Sequence, residues 1–301
     1  MTAGTTTDVA SAPLLGIPNV SEGRDRERLA ALAAAFAAPG ARLLDVHADR
    51  DHNRSVYTLA GEAGALADAI LSGARTALSL IDLCAHSGLH PHVGVLDVAP
   101  VVWVSPARRG AAAAEALVLA DRLGHELGLP VFLYGELAGG RTRAWLRRGG
   151  PAELARRVRC GELSPDFGPA RIDPRRGATL VGARGPLVAF NVELAPPAGV
   201  AQARRIAALI REGGEEGLPG VRAIGLWLGA RGRAQVSTNI EDFERVSPAQ
   251  VVAAIARHAP VAEAELVGLA PRAALQGLAP ELAVRGLRTL EDALASSIGP
   301  C

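Results

Sequence analysis

The chain has 301 residues, 49% of them hydrophobic, which is enough apolar material for one large or two ordinary cores. A formal net charge of +1 gives no global field toward nucleic acid or an anionic membrane, and no apolar run approaches the ~18 residues of a membrane span. All 32 basic residues are arginine, so a lysine Schiff base or lysine general base is excluded. Cys84, Cys160 and Cys301 are widely spaced and form no C-x-x-C pair. Neither a disulfide framework nor a cysteine zinc site is expected, and a reducing, cytoplasmic setting follows.

Residues 1–12 are polar, with no charged n-region and no apolar h-region, and read as a disordered tail. A short strand is expected over Leu14 to Val20, a helix over Arg24 to Ala38 and a strand over Arg42 to Val46. A strand over Arg54 to Ala60, a long amphipathic helix over Gly64 to Leu83 and a strand region over Val93 to Val104 follow. A helix over Gly110 to Leu127 and a strand over Val131 to Tyr134 complete the first set. The same order returns with a strand over Pro186 to Leu194, a helix over Val200 to Arg211, and strands over Arg222 to Leu228 and Ala234 to Asn239. A helix over Pro248 to His258 and a strand over Ala262 to Val267 close the repeat, and helices are expected from Pro271 onward.

Two β-α-β-β-α-β units predict an α+β protein of two successive split-βαβ, ferredoxin-like subdomains. Each would be a mixed or antiparallel sheet with helices on one face, with a ligand groove between the two. The expected domains are 13–178 and 179–301. Between the repeats, Gly135 to Gly177 is rich in glycine, proline and arginine. From Arg141 to Arg176 it carries ten arginines against four acids, and long stretches with little periodicity are often functional.

Five of the seven histidines fall between His47 and His92, in two loops: His47-Ala-Asp-Arg-Asp-His52-Asn53-Arg54 and His86-Ser-Gly-Leu-His90-Pro-His92. Imidazole passes protons near neutral pH, and transfer to an amine needs that, because the attacking nitrogen loses a proton and the leaving one gains it. Asp97 or Asp45 could orient such a base. A metal-dependent hydrolase is the competing reading, since His86-x3-His90 has zinc-like spacing on a helix, but Gly88 and Pro91 break that helix and no metal is expected. Gly16 to Gly23 ends a strand and opens a helix that Ser21 or Asn19 could cap. Asp166 to Gly177 is a turn-rich basic loop suited to carboxylates through Arg171, Arg175 and Arg176. Val236-Ser-Thr-Asn239 offers uncharged hydrogen-bonding groups at a strand end.

These pieces stand in one order. Pro18-Asn-Val-Ser-Glu-Gly23, Leu43-Leu-Asp-Val46 with Asn53-Arg54-Ser-Val-Tyr-Thr58, and His86-x-Gly-x-His90-Pro-x-x-Gly-x-x-Asp97-Val98 come first. Tyr134-Gly-Glu136, Pro165-Asp-Phe-Gly-Pro169, Gly177-Ala-Thr179, Val181-Gly-Ala-Arg184, Ala189-Phe-Asn191 and Gln235-Val-Ser-Thr-Asn239 follow. From about Ile17 to about Leu269 the chain resembles the formiminotransferase family.

The resemblance implies a homodimer, a folate held between two α/β subdomains, and transfer of a formimino or formyl group between N-formiminoglutamate, or a related amino acid, and tetrahydrofolate as co-substrate. In that family the reaction belongs to histidine degradation. His90 matches the family's catalytic histidine. The loop from Gly168 and Pro169 through Arg171, Arg175 and Arg176 to Gly177 matches its folate-contacting loop, where a polyglutamylated tail would suit the arginines. Asn19, His47, Asn53, Arg54, His92, Asp97 and Asn239 complete the expected substrate and folate contacts.

Three departures stand out: the family carries aspartate at His47, lysine at Ser87 and arginine at His92. A degenerate folate binder is therefore the alternative to a transferase. The chain ends before a cyclodeaminase domain would begin, so the transferase half alone is expected.

Overall fold

The computed structural model describes residues 12–296; the tail expected over residues 1–12 falls almost wholly outside them, as does Cys301. The chain forms two compact units, divided between Gly185 and Pro186. The first contains β1 (Leu14–Gly16), β2 (Asn19–Val20), α1 (Arg26–Phe36), β3 (Ala41–Asp49), β4 (Arg54–Gly61), α2 (Ala65–Leu80) and β5 (Leu96–Trp103). It continues with α3 (Arg109–Leu127), β6 (Val131–Leu133), α4 (Arg143–Arg147), α5 (Gly150–Arg159) and β7 (Thr179–Arg184).

The strand expected over Leu14 to Val20 is broken at Ile17-Pro18, because proline has no N–H to give the ladder. Its halves β1 and β2 both pair antiparallel with β4 and β5, and β3 pairs with β4 on the other side. The order β3-β4-β1/β2-β5 is that of a split βαβ unit, and β7 and β6 extend it in parallel beyond β5. β7 was not foreseen from the sequence. It lies between β5 and β6, buried from Thr179 to Ala183, so its residues show no inside–outside alternation. The first unit therefore runs past the boundary drawn at 178.

Alternate residues of β5, β6 and β7 serve opposite faces. Ala99, Val101, Leu133 and Val181 join the main core with residues of α2 and α3. Val98, Phe132 and Leu180 pack with Leu146 of α4 and with Leu154 and Val158 of α5. The arginine-rich stretch after β6 thus supplies a helical layer on the second face.

A buried carboxylate starts α2. Gly64, its N-cap, has no side chain, and Glu115 from α3 accepts from the N–H groups of Gly64 (2.8 Å) and Ala67 (2.9 Å) instead. Glu115→Ala removes both bonds at a buried helix end, and urea unfolding should show a loss of about 2 kcal/mol. A midpoint unchanged from the parent would contradict this capping role.

The second unit contains β8 (Val188–Leu194), α6 (Val200–Ile210), β9 (Val221–Leu228), β10 (Arg233–Ile240), α7 (Pro248–Ala256) and β11 (Val261–Leu266). Its sheet order, β12-β11-β8-β10-β9, is again a split βαβ unit, with β12 (Val284–Arg285) added parallel to β11. Ser247 and Gln250 close a capping box at the start of α7. The helices expected from Pro271 onward are replaced by a 3-10 turn (Arg272–Leu275), β12 and the short α8 (Leu290–Ala295). Gly277 and Gly286, both at positive φ, interrupt any helix there, and Arg285 is drawn to the buried carboxylates of Glu193 and Glu265. Among the described residues no helix is long and apolar enough to cross a membrane.

Candidate active site

Three loops of the first unit converge through side-chain to backbone bonds. Asn53 follows the β3–β4 turn at φ +48, a conformation asparagine tolerates better than most residues. Its amide oxygen accepts from Gly23 N (2.9 Å), and its amide nitrogen donates to the Ser87 carbonyl (3.0 Å) and to His86 Nδ1 (3.2 Å). Leu89 N donates to the Asp51 carbonyl at 3.1 Å. Gly88 permits this approach, since a Cβ there would lie 2.3 Å from the His52 carbonyl.

Behind these loops sits a buried ion cluster. Asp97 on β5 is fully buried. One carboxylate oxygen accepts from Val93 N (2.9 Å); the other takes Arg54 Nη1 (2.6 Å) and a short bond from Arg147 Nη2. Arg54 also donates to Asn19 Oδ1 through Nε (3.2 Å) and Nη2 (2.8 Å), and Asn19 is fixed by its own bond to the Ile17 carbonyl (2.7 Å). Burial alone would raise the Asp97 pKa, but the charges of Arg147 and Arg54 outweigh it and hold the carboxyl well below its usual range. Burial lowers Arg54 to about 10 in spite of Asp97. Two guanidiniums share one carboxylate, so the cluster keeps a surplus positive charge.

His90 faces that surplus. Its half-buried ring holds Nδ1 2.7 Å from the Pro91 carbonyl. A carbonyl only accepts, so Nδ1 carries the proton and the neutral ring leaves Nε2 as a free lone pair. Desolvation first, and then the charges of Arg54 and Arg147, push the His90 pKa well below its ordinary value, with Asp97 opposing them. The ring is therefore a neutral base at physiological pH. The buried His52 ring stands 6.0 Å from it, centroid to centroid. His86 and His92 meet edge to face at 4.6 Å, and His86 is pulled down to about 4 by burial and then by His92. His92 Nδ1 donates to the His90 carbonyl (3.3 Å).

The basic loop is pinned at both ends. A Cβ on Gly168 (φ +78) would lie 2.1 Å from the Leu129 carbonyl, and one on Gly177 (φ +71) 2.3 Å from that of Val93. Both positions therefore require glycine. Leu83 N donates to the Arg175 carbonyl, Val95 N to that of Arg176, and Ala178 N to that of Val93, each at 2.9 Å. These bonds lay the loop along the segment that carries the histidines. Pro169, Arg171 and Arg175 are exposed, whereas Arg176 is committed to the Leu127 carbonyl (2.6 Å).

The residues singled out in the sequence thus separate into groups. Asn19, Asn53, Arg54, Asp97, His90 and His92 meet within the converging loops and the cluster behind them. His47 is half-buried on β3, opposite Val56. Asn239 lies on β10 of the second unit, opposite Ala189 and Arg222, while its neighbour Thr238 turns its hydroxyl inward to the Phe190 carbonyl.

Neither Ser21 nor Asn19 caps α1. Ser21 Oγ donates to the Gly94 carbonyl (2.8 Å) and Asn19 serves Arg54, so Asp25 takes the cap. Arg147 was not foreseen; it reaches Asp97 from a helix 50 residues further along the chain, and only the excess of arginine there hinted at it. Among the described residues no three His, Cys, Asp or Glu side chains gather as a metal-binding group.

Two split-βαβ units, one bearing a neutral imidazole against a surplus of guanidinium charge, define a protein suited to proton transfer beside an anionic ligand. The match to known sequences is narrower. Residues 14–184 match the N-terminal subdomain model of the formiminotransferase domain and residues 189–281 match the formiminotransferase domain model, so the chain belongs to the formiminotransferase domain family. It is 40% identical over 269 residues to the formimidoyltransferase-cyclodeaminase of Sus scrofa, covering 85% of this chain and 49% of that protein. To the glutamate formimidoyltransferase of Streptococcus pyogenes serotype M1 it is 37% identical over 264 residues, covering 85% and 88%. To that of Thermoplasma acidophilum it is 33% identical over 270 residues, covering 86% and 88%. The chain spans about half the length of the pig protein and most of the length of the two microbial ones.

Proposed function

We propose that this chain transfers a formimino group between N-formiminoglutamate and tetrahydrofolate, with His90 as the general acid and base. The observation that carries the reading is the fixed tautomer of His90, whose Nε2 is free to take a proton while Nδ1 is tied to Pro91. A ring amine of tetrahydrofolate attacks the formimino carbon and its proton passes to Nε2. The bond from that carbon to the glutamate nitrogen then breaks with its electron pair, and the leaving nitrogen recovers the proton from Nε2. One imidazole serves both transfers. Desolvation, and then the charges of Arg54 and Arg147, keep the ring neutral until a proton arrives. The names of the relatives support glutamate as the amino-acid partner. The exposed arginines of the loop from Gly168 to Gly177 suit the carboxylates of a folate tail. His47, Ser87 and His92, in place of aspartate, lysine and arginine, are the positions where partner preference would differ.

The test is turnover of the purified protein with tetrahydrofolate and N-formiminoglutamate, followed as 5,10-methenyl-tetrahydrofolate after acid treatment. Turnover is expected. Folate binding without turnover would replace this reading with that of a folate binder or of another one-carbon partner.

A further inference from the structure

Arg24 and Arg50 hold one another in place. Arg24 Nε donates to the Arg50 carbonyl (2.8 Å), and Arg50 Nη1 donates to the Arg24 carbonyl (3.1 Å). Arg24 Nη1 also reaches Ser87 Oγ at 3.2 Å. Both arginines are exposed, and among the described residues no carboxylate forms an ion pair with either.

Glu22, Asp25, Asp49 and Asp51, the acids close by in sequence, each have partners of their own. Glu22 accepts from the main-chain N–H groups of Arg24 and Asp25 and pairs with Arg28. Asp25 caps α1, and Asp49 accepts from His52 N. Two exposed cations held on each other's backbone, with no carboxylate paired to either, are relieved by an anion, and a guanidinium matches a carboxylate. Through Ser87 the Arg24 guanidinium touches the loop that carries His90, three residues further on. Where the motif of the resemblance has lysine, this chain has Ser87, and the guanidinium of Arg24 arrives at that serine from a different loop.

We propose that Arg24 and Arg50, with the Ser87 hydroxyl, form a carboxylate-binding site at the rim of the His90 loop. Arg24 thereby restores from another position the charge that the lysine would supply. The nature of the ligand rests on the transferase reading above: the carboxylate comes from the amino-acid substrate or from the glutamate tail of the folate. The site itself is defined by two guanidiniums to which no described carboxylate is paired.

Titration calorimetry with glutarate, tetrahydrofolate monoglutamate and tetrahydrofolate triglutamate tests the site on the parent, Arg24→Ala, Arg50→Ala and Arg24→Ala/Ser87→Lys proteins. Arg24→Ala should weaken a carboxylate ligand roughly tenfold, and Ser87→Lys in that background should recover most of the loss. Weakened glutarate, with a raised KM for N-formiminoglutamate and unchanged folate affinity, assigns the amino-acid carboxylate. A loss confined to the triglutamate assigns the tail. Binding of all three probes within twofold of the parent by both single variants would overturn the proposal. So would a loss that Ser87→Lys fails to recover and that comes with a lowered melting temperature. A parent protein without turnover would sink the transferase reading alone, because the titrations decide the site without it.

Discussion

Replacing His90 by alanine is expected to remove formimino transfer while leaving tetrahydrofolate affinity within a few fold of the parent. The ring offers one free nitrogen, Nε2, and the other is tied to the Pro91 carbonyl. In the proposed mechanism its loss removes the acceptor for the attacking nitrogen's proton and the donor for the leaving one, and general acid–base groups contribute roughly 10² to 10⁴ in rate. Asn53, Arg54 and Asp97 hold the surrounding loops without help from the His90 side chain, so the fold should survive. Steady-state turnover and equilibrium folate binding on the same preparation separate the two effects. A variant that turns over at the parental rate would end the assignment. The pH profile supplies a second check. His90 is displaced well below its ordinary value, chiefly by desolvation and then by Arg54 and Arg147, so the neutral base persists to lower pH than a free imidazole would allow. The acid limb of kcat/KM should therefore fall below the ordinary histidine value of about 6.5.

Much of this site is legible in the sequence, and what is not has a physical reason. Along β3 and the first half of β9 exposed and less exposed residues alternate, and a period of two can be read off such a strand. β7 is buried from Thr179 to Ala183, so no inside–outside alternation marks it in the sequence. The two histidine loops are visible because their side chains crowd within few residues. Asp97 also lies close enough to His90 in the chain to be named with it. Arg147 does not, since its contact with Asp97 exists only after α4 has folded onto the second face of the sheet. The cap of α1 is not legible in the sequence because several competent acceptors stand in a row. Ser21 and Asn19 find partners across the sheet, and the role falls to Asp25, the next free acceptor along the chain. Local chemistry identifies candidates for a role, while tertiary packing decides which of them is free to take it.

The buried carboxylate between Arg54 and Arg147 should matter more to stability than any other single charge in the first unit. Asp97→Asn keeps the shape of the side chain and removes the charge. Arg54 retains Asn19 Oδ1, but Arg147 loses its carboxylate, and two cations that are 11% and 13% exposed are left without their common anion. Breaking a buried pair in this way costs about 3–5 kcal/mol. For a unit of this size that is a fall of roughly 10 °C in melting temperature. The dependence on pH has a definite sign. In the folded chain Asp97 is held below its ordinary range, so its contribution is complete above the unfolded value of about 3.9 and is lost as pH falls toward the folded one. Urea unfolding at neutral pH should therefore separate Asp97→Asn from the parent, and the gap should narrow as the solution is acidified below pH 4. Equal stability at neutral pH would mean that the two guanidiniums find water or each other's neighbours without penalty, and the cluster would lose its standing as the support behind His90.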